Sequence, residues 1–151
     1  MKSTKLCNII FPLWFVLFFP PVIIFTFLGN YLFDSLVVLL CYHAFRLSNI
    51  QDSFKTFYKK SILKVWLLGF AADITGVLIL FITGILGDFL NIPHKIISAI
   101  NYDPYRHPVA LLITILAVFT AAFFIFLFSY QITFKKLIVE KALRIKVALT
   151  I

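Results

Sequence analysis

Between Ile9 and Phe45 the chain runs 37 residues with a single charged side chain, Asp34. Two further apolar runs follow, Val65 to Gly87 and Val109 to Phe134. A helix needs about 20 apolar residues to cross a hydrocarbon layer roughly 30 Å thick. No soluble domain of 151 residues can bury three such runs, so the chain is read as an integral membrane protein. Only 13% of its residues are charged, half the share usual in a globular domain, and no stretch between the runs leaves room for a separate soluble domain. The expected architecture is all-α, a single transmembrane domain over residues 1–151.

The long first run has to be divided, because 37 helical residues extend about 55 Å. Gly29-Asn30 is the turn-like dipeptide within it. The expected spans are therefore about 9–28, 31–45, 65–87 and 109–134, a four-helix bundle. On this division Pro20-Pro21 falls inside the first helix and kinks it. Pro108 suits the first position of the last helix, where its missing N–H costs nothing. Met1 to Leu28 has the basic start and apolar centre of a signal peptide, but Phe27-Leu28-Gly29 lacks the small residues cleavage requires, so the segment is read as a retained anchor. Cys7 and Cys41 form no paired motif.

Four spans place both termini on one side. Lys2 and Lys5 precede the first span, and Arg46, Lys55, Lys59, Lys60 and Lys64 lie between the second and third. Lys135, Lys136, Lys141, Arg144 and Lys146 follow the last, whereas only Lys95 and Arg106 occupy the loop between the third and fourth. Twelve of the 14 basic residues thus share one side, which the positive-inside rule makes cytoplasmic. The net charge of +8 is accounted for by membrane topology, and nucleic acid is not needed as a partner. Tyr42, Tyr58, Trp66 and Tyr130 fit an inner aromatic belt, and Tyr31, Tyr102 and Tyr105 an outer one.

In the inner loop, Leu47, Ile50, Phe54, Phe57 and Tyr58 recur at helical spacing, and Ser48 with Gln51 suits a capping box. A short cytoplasmic interfacial helix is expected there, its Lys55, Lys59 and Lys60 meeting the lipid surface as a topological anchor or as a contact for anionic headgroups. Two carboxylates fall within the spans, where a charge costs about 2.5–3.5 kcal/mol. Counted from the inner boundary at about 1.5 Å per residue, Asp73 lies roughly 12 Å deep and Asp34 roughly 17 Å. Facing one another, they form a candidate site for a proton or cation. The structural reading puts Asp34 in the first turn of a helix starting at Tyr31, beside the positive end of the helix dipole. It gives Asp73 a hydrogen bond to a neighbouring helix across a face of Gly69, Gly76, Gly84 and Gly87, small residues that let helices approach closely.

Ala110, Thr114, Ala117 and Ala121 line one side of the last span as a packing surface. His94, Asp103 and His107 in the outer loop lack the regular spacing of a metal site, and no catalytic motif, cofactor motif or metal set is read. The run Lys5-Leu-Cys-Asn-Ile-Ile-Phe-Pro-Leu-Trp-Phe, with Phe19-Pro20-Pro21 and Gly69-Phe-Ala-Ala-Asp73, resembles a group of small integral membrane proteins of Gram-positive bacteria that carries no assigned activity. The resemblance implies a bacterial cytoplasmic membrane and a further apolar segment beyond Lys146-Val-Ala-Leu-Thr-Ile151, which reads as the first turns of another span. Two functional expectations result. One is a non-enzymatic helix-packing unit, self-associating or serving as the membrane subunit of a larger assembly. The other is a proton- or cation-coupled transport component that uses Asp34 and Asp73.

Overall fold

The computed structural model describes residues 19–49, 53–87 and 89–151, and in these it is all-helical. Helix α1 spans Pro20–Ala44, α2 Phe54–Ile85, α3 His94–Tyr102, α4 Pro108–Phe128 and α5 Lys141–Thr150. A 3-10 turn at Leu47–Asn49 precedes α2, another at Pro104–Arg106 precedes α4, and a π-helical turn at Ser129–Thr133 extends α4. Among the described residues, three segments are long and apolar enough to cross a membrane: Pro20–Ala44, Phe54–Ile85 and Pro108–Thr133.

The expected division of the first run is corrected. Helix α1 passes through Gly29 and Asn30 without a break, and Gly29 does not take a positive φ. A turn there would release peptide N–H and C=O groups into an apolar environment that cannot solvate them. Helix α1 starts instead at Pro20-Pro21, which occupy its first two positions rather than kinking it from inside. The first ten residues of the expected 9–28 span, and Cys7, lie outside the described residues. The expected N-terminal side concerns Met1 to Phe18, which also lie outside them. Among the described residues, three candidate spans place Phe19 and α5 at opposite ends of the bundle.

Helix α2 is the centre of the fold, with α1 and α4 antiparallel to it on different sides. Its 32 residues extend about 48 Å, more than a bilayer needs. The apolar part from Val65 to Ile85 covers about 30 Å, and the first three turns, with Lys55, Lys59, Lys60 and Lys64, project beyond it. The separate interfacial helix is thereby corrected: the amphipathic segment from Phe54 is the start of α2 itself. Gln51 of the expected capping box lies outside the described residues, and Ser53 is the N-cap. Arg46 closes α1 in the left-handed conformation, φ 49°.

The larger buried core sits at this basic end. Val38, Cys41 and Tyr42 of α1 meet Leu47, Phe57, Ile62, Val65, Phe134, Leu137, Ile138 and Val147. Tyr42, expected in an aromatic belt, is buried against Phe54 and Phe57. Residues 146–151, read as the beginning of a further span, belong to the end of α5, which lays Val147 and Ala148 onto this core. Arg144 fixes α5 in place. Its guanidinium lies 4.4 Å from the centre of the Tyr130 ring, and Nη2 donates to the Tyr130 hydroxyl at 3.1 Å. Arg144→Ala is expected to cost about 1–2 kcal/mol and to speed proteolysis between Lys135 and Lys141; an unchanged cleavage rate would show that Val147 and Ala148 hold the helix unaided.

At the opposite end α3 packs against α2 and α4, burying Ile97, Ala99 and Ile100. Ala99 and Ile100 pack with Ala110, beside Leu80, Ile96 and Ile113. Asn91 makes the turn before it with φ 54°.

Candidate functional site

The continuity of α1 changes the setting of Asp34. It lies fourteen residues, about 21 Å, beyond Pro20, so the first-turn placement is corrected and the helix dipole no longer accounts for it. Its carboxylate lies on the α1–α2 seam. A Cβ added to Gly69 would stand 4.0 Å from Asp34 Oδ2. Gly69 is four residues above Val65 and four below Asp73 on α2, so Asp34 sits about 6 Å into the apolar stretch and Asp73 about 12 Å. Their order in depth is the reverse of the one counted from sequence.

Asp73 itself faces a groove between α1 and α4, floored by α2. Thr26 and Asn30 of α1, Gly76 and Val77 of α2, and Ala117 and Ala121 of α4 line it around Asp73, and its volume is about 600 Å³. The floor is narrow because α2 and α4 touch through small residues. A Cβ at Gly76 would come 2.9 Å from the Ala117 carbonyl oxygen and 3.3 Å from Ala121 Cβ. Gly84 approaches a different neighbour, since its Cβ would lie 2.6 Å from Asn101 Oδ1 at the end of α3. Gly87 lies beyond the end of α2, against Ile97 of α3. The four glycines therefore do not share one interface: Gly69 faces α1, Gly76 faces α4, and Gly84 and Gly87 face α3.

Below Asp34 the seam remains polar. Ser35 Oγ donates to the Tyr31 carbonyl at 2.7 Å, so it accepts from the Tyr58 hydroxyl at 2.8 Å. Tyr58 in turn accepts from Tyr31 at 3.2 Å. Tyr31 was expected at the outer boundary, but its hydroxyl points toward the basic end. One turn earlier on α1, Trp66 Nε1 donates to the Phe27 carbonyl at 3.0 Å, and the Phe27 ring packs on Trp66 and Phe70. These contacts hold α1 to α2 in a fixed register.

The outer-loop residues are engaged locally. Asp103 Oδ2 pairs with Arg106 Nε at 3.0 Å, and Oδ1 accepts from the Tyr105 amide. His107 Nδ1 accepts from the Val109 amide and caps α4. Among the described residues no three His, Cys, Asp or Glu side chains are grouped to hold a metal. Lys55, Lys59 and Lys60 lie on the projecting turns of α2, and all three are exposed.

Sequence reasoning missed Thr26 and Asn30 because Asn30 was assigned to a turn. Once α1 is continuous, their four-residue spacing puts them on one face. Comparison with protein-family models, with curated proteins and with solved structures gave no match.

Proposed function

We propose that this chain is a non-enzymatic membrane subunit that acts by associating with other transmembrane segments. The observation that carries the reading is the groove between α1 and α4, which combines a floor of small residues with a carboxylate, an amide and a hydroxyl deep in an apolar stretch. Small residues allow close helix approach in lipid, and polar side chains hydrogen-bond across such contacts. A photo-crosslinking residue at Val118, which lines the groove, is expected to give a discrete protein adduct in native membranes. One at Leu116, on the far side of α4, should yield lipid adducts only. Equal products from both positions would contradict a specific association surface.

The second reading is a proton- or cation-coupled component. It is favoured by the placement of Asp34 beside Gly69 and of Asp73 one turn further along α2, two carboxylates at neighbouring depths in the apolar stretch. Asp73→Asn separates the two, because the amide keeps size and hydrogen bonding but cannot release a proton or hold a cation. A subunit role predicts that the Val118 adduct still forms after this substitution, at a yield lowered only as far as Asp73 contributes to partner affinity, with no change in ion flux. A coupled role predicts loss of ion flux into vesicles containing the assembled complex.

The proposed orientation places the basic end in the cytoplasm. Arg46, the lysines of α2, Lys135, Lys136 and the basic residues of α5 lie at that end, against Lys95 and Arg106 at the other. Lys55, Lys59 and Lys60 then meet anionic headgroups at about 1 kcal/mol each. The resemblance supports a bacterial cytoplasmic membrane as the site. In a Cys7→Ser, Cys41→Ala background, Tyr105→Cys should react with an impermeant maleimide on intact cells and Val139→Cys only after permeabilisation. The opposite pattern would invert the topology.

A further inference from the structure

We propose that the groove between α1 and α4 seats one transmembrane helix of a different polypeptide, and that this helix brings a lysine or arginine to mid-membrane depth beside Asp73. The inference rests on the subunit reading above and adds the chemistry of the partner.

The shape fits a helix. Along α2 the groove extends from Phe70 to Leu80, about 15 Å or three helical turns. Gly76, Ala117 and Ala121 at its floor are taken up by the contact of α2 with α4, and Ala122 and Val118 on the α4 side remain exposed to an entering helix. A lipid chain has no use for the polar groups at this level. Thr26, Asn30 and Asp73 line an otherwise apolar surface, and Asp73 is exposed within it. Among the described residues its carboxylate makes no hydrogen bond or ion pair.

Charge decides between a second copy and another chain. The spans of α1 and α4 contain no lysine or arginine, nor does α2 between Val65 and Ile85. A two-fold pairing across this groove would set Asp73 against Asp73, and like charges repel strongly in a medium of low dielectric. Among the described spans no side chain supplies the complementary cation, and the proposal assigns it to another polypeptide. A basic residue in a partner span meets the same cost in lipid, and pairing the two relieves both.

The test uses the full chain, acceptor-labelled and reconstituted in phosphatidylcholine vesicles, with donor-labelled synthetic transmembrane peptides of leucine and alanine flanked by lysines. One peptide carries a central lysine, one a central leucine, and one a lysine moved two turns toward an end. Energy transfer titrated against peptide-to-lipid ratio reads association. The central-lysine peptide is expected to associate about tenfold more tightly than the other two. Asp73→Asn should remove that preference. Ala122→Phe, which narrows the groove from its exposed α4 side and leaves the carboxylate in place, should weaken binding of the central-lysine peptide as well; circular dichroism and gel filtration establish that both variants remain folded. Equal association of the three peptides, or a lysine preference that survives Asp73→Asn, would overturn the proposal. If the peptides show no preference while the Val118 adduct still forms in native membranes, the subunit reading stands and the basic partner does not.

Discussion

Phe57→Ala is expected to cost about 3–5 kcal/mol, the largest loss of any single substitution considered for this protein. Phe57 is fully buried where α1, α2 and the turn after α4 converge. Its ring stacks on Phe134 with centroids 6.0 Å apart and lies 5.7 Å from that of Tyr42. Truncation leaves a cavity among side chains that are themselves pinned by helices, so little collapse can offset it. Thermal unfolding in detergent, followed by circular dichroism, checks the value. Phe25→Ala is the control, because Phe25 is 75% exposed on the outer surface of α1 and its removal opens no cavity. Similar midpoints for the two variants would show that the basic end is not a packed core.

Gly76→Leu is expected to follow at about 3 kcal/mol, near the top of the usual range for overpacking, or roughly 10 °C in the midpoint. A Cβ at this position already approaches the Ala117 carbonyl oxygen to 2.9 Å, and a backbone atom cannot swing aside as a side chain does. The remaining leucine atoms would force α2 from α4. Gly69→Ala tests whether position rather than glycine itself matters. Its Cβ would meet nothing nearer than Asp34 Oδ2 at 4.0 Å, so the substitution should be tolerated. Equal destabilisation of Gly69→Ala and Gly76→Leu would remove the close contact from the account.

The membrane class was legible because runs of this length have no other outcome, and α4 was legible almost to the residue because Pro108 marks its start. The same rule applied to Pro20-Pro21 would have found α1. The weaker signal, Gly29-Asn30, competes with it because a turn at Pro20-Pro21 leaves only 11 residues, Ile9 to Phe19, ahead of it, too few to span. Turn propensities describe chains whose peptide groups can reach water, and within an apolar run the helical hydrogen bonds hold through glycine and asparagine. That single misplacement also put Asn30 outside the site and Asp34 in a first turn.

Other parts required the third dimension. Glycine spacing indicated close approach but not the partner, and only the fold shows Gly76 against α4 and Gly84 against α3. The spacing of Ile96, Ile97 and Ile100 carries a signal for α3, but nine residues give too few turns for a helical period to stand out from a loop. Helix α5 began before the segment read as a new span. Its burial of Val147 and Ala148 depends on a core assembled from residues a hundred positions away, which no local pattern reveals.

The account depends on α1 being one uninterrupted membrane helix, and the depth of Gly29 tests this most directly. With Cys7→Ser and Cys41→Ala in place, Gly29→Cys should be labelled by an impermeant maleimide neither on intact nor on permeabilised cells, and only after denaturation in detergent. The substitution itself is mild, since a Cβ at position 29 meets nothing within 4 Å. Protection under both native conditions, with Tyr105→Cys and Val139→Cys labelled from opposite sides in parallel, is the predicted result. Rapid labelling of Gly29→Cys on intact cells would mean that residues 29 and 30 form an exposed hairpin turn, and the continuous helix, the depth of Asp34 and the groove built on them would fall together.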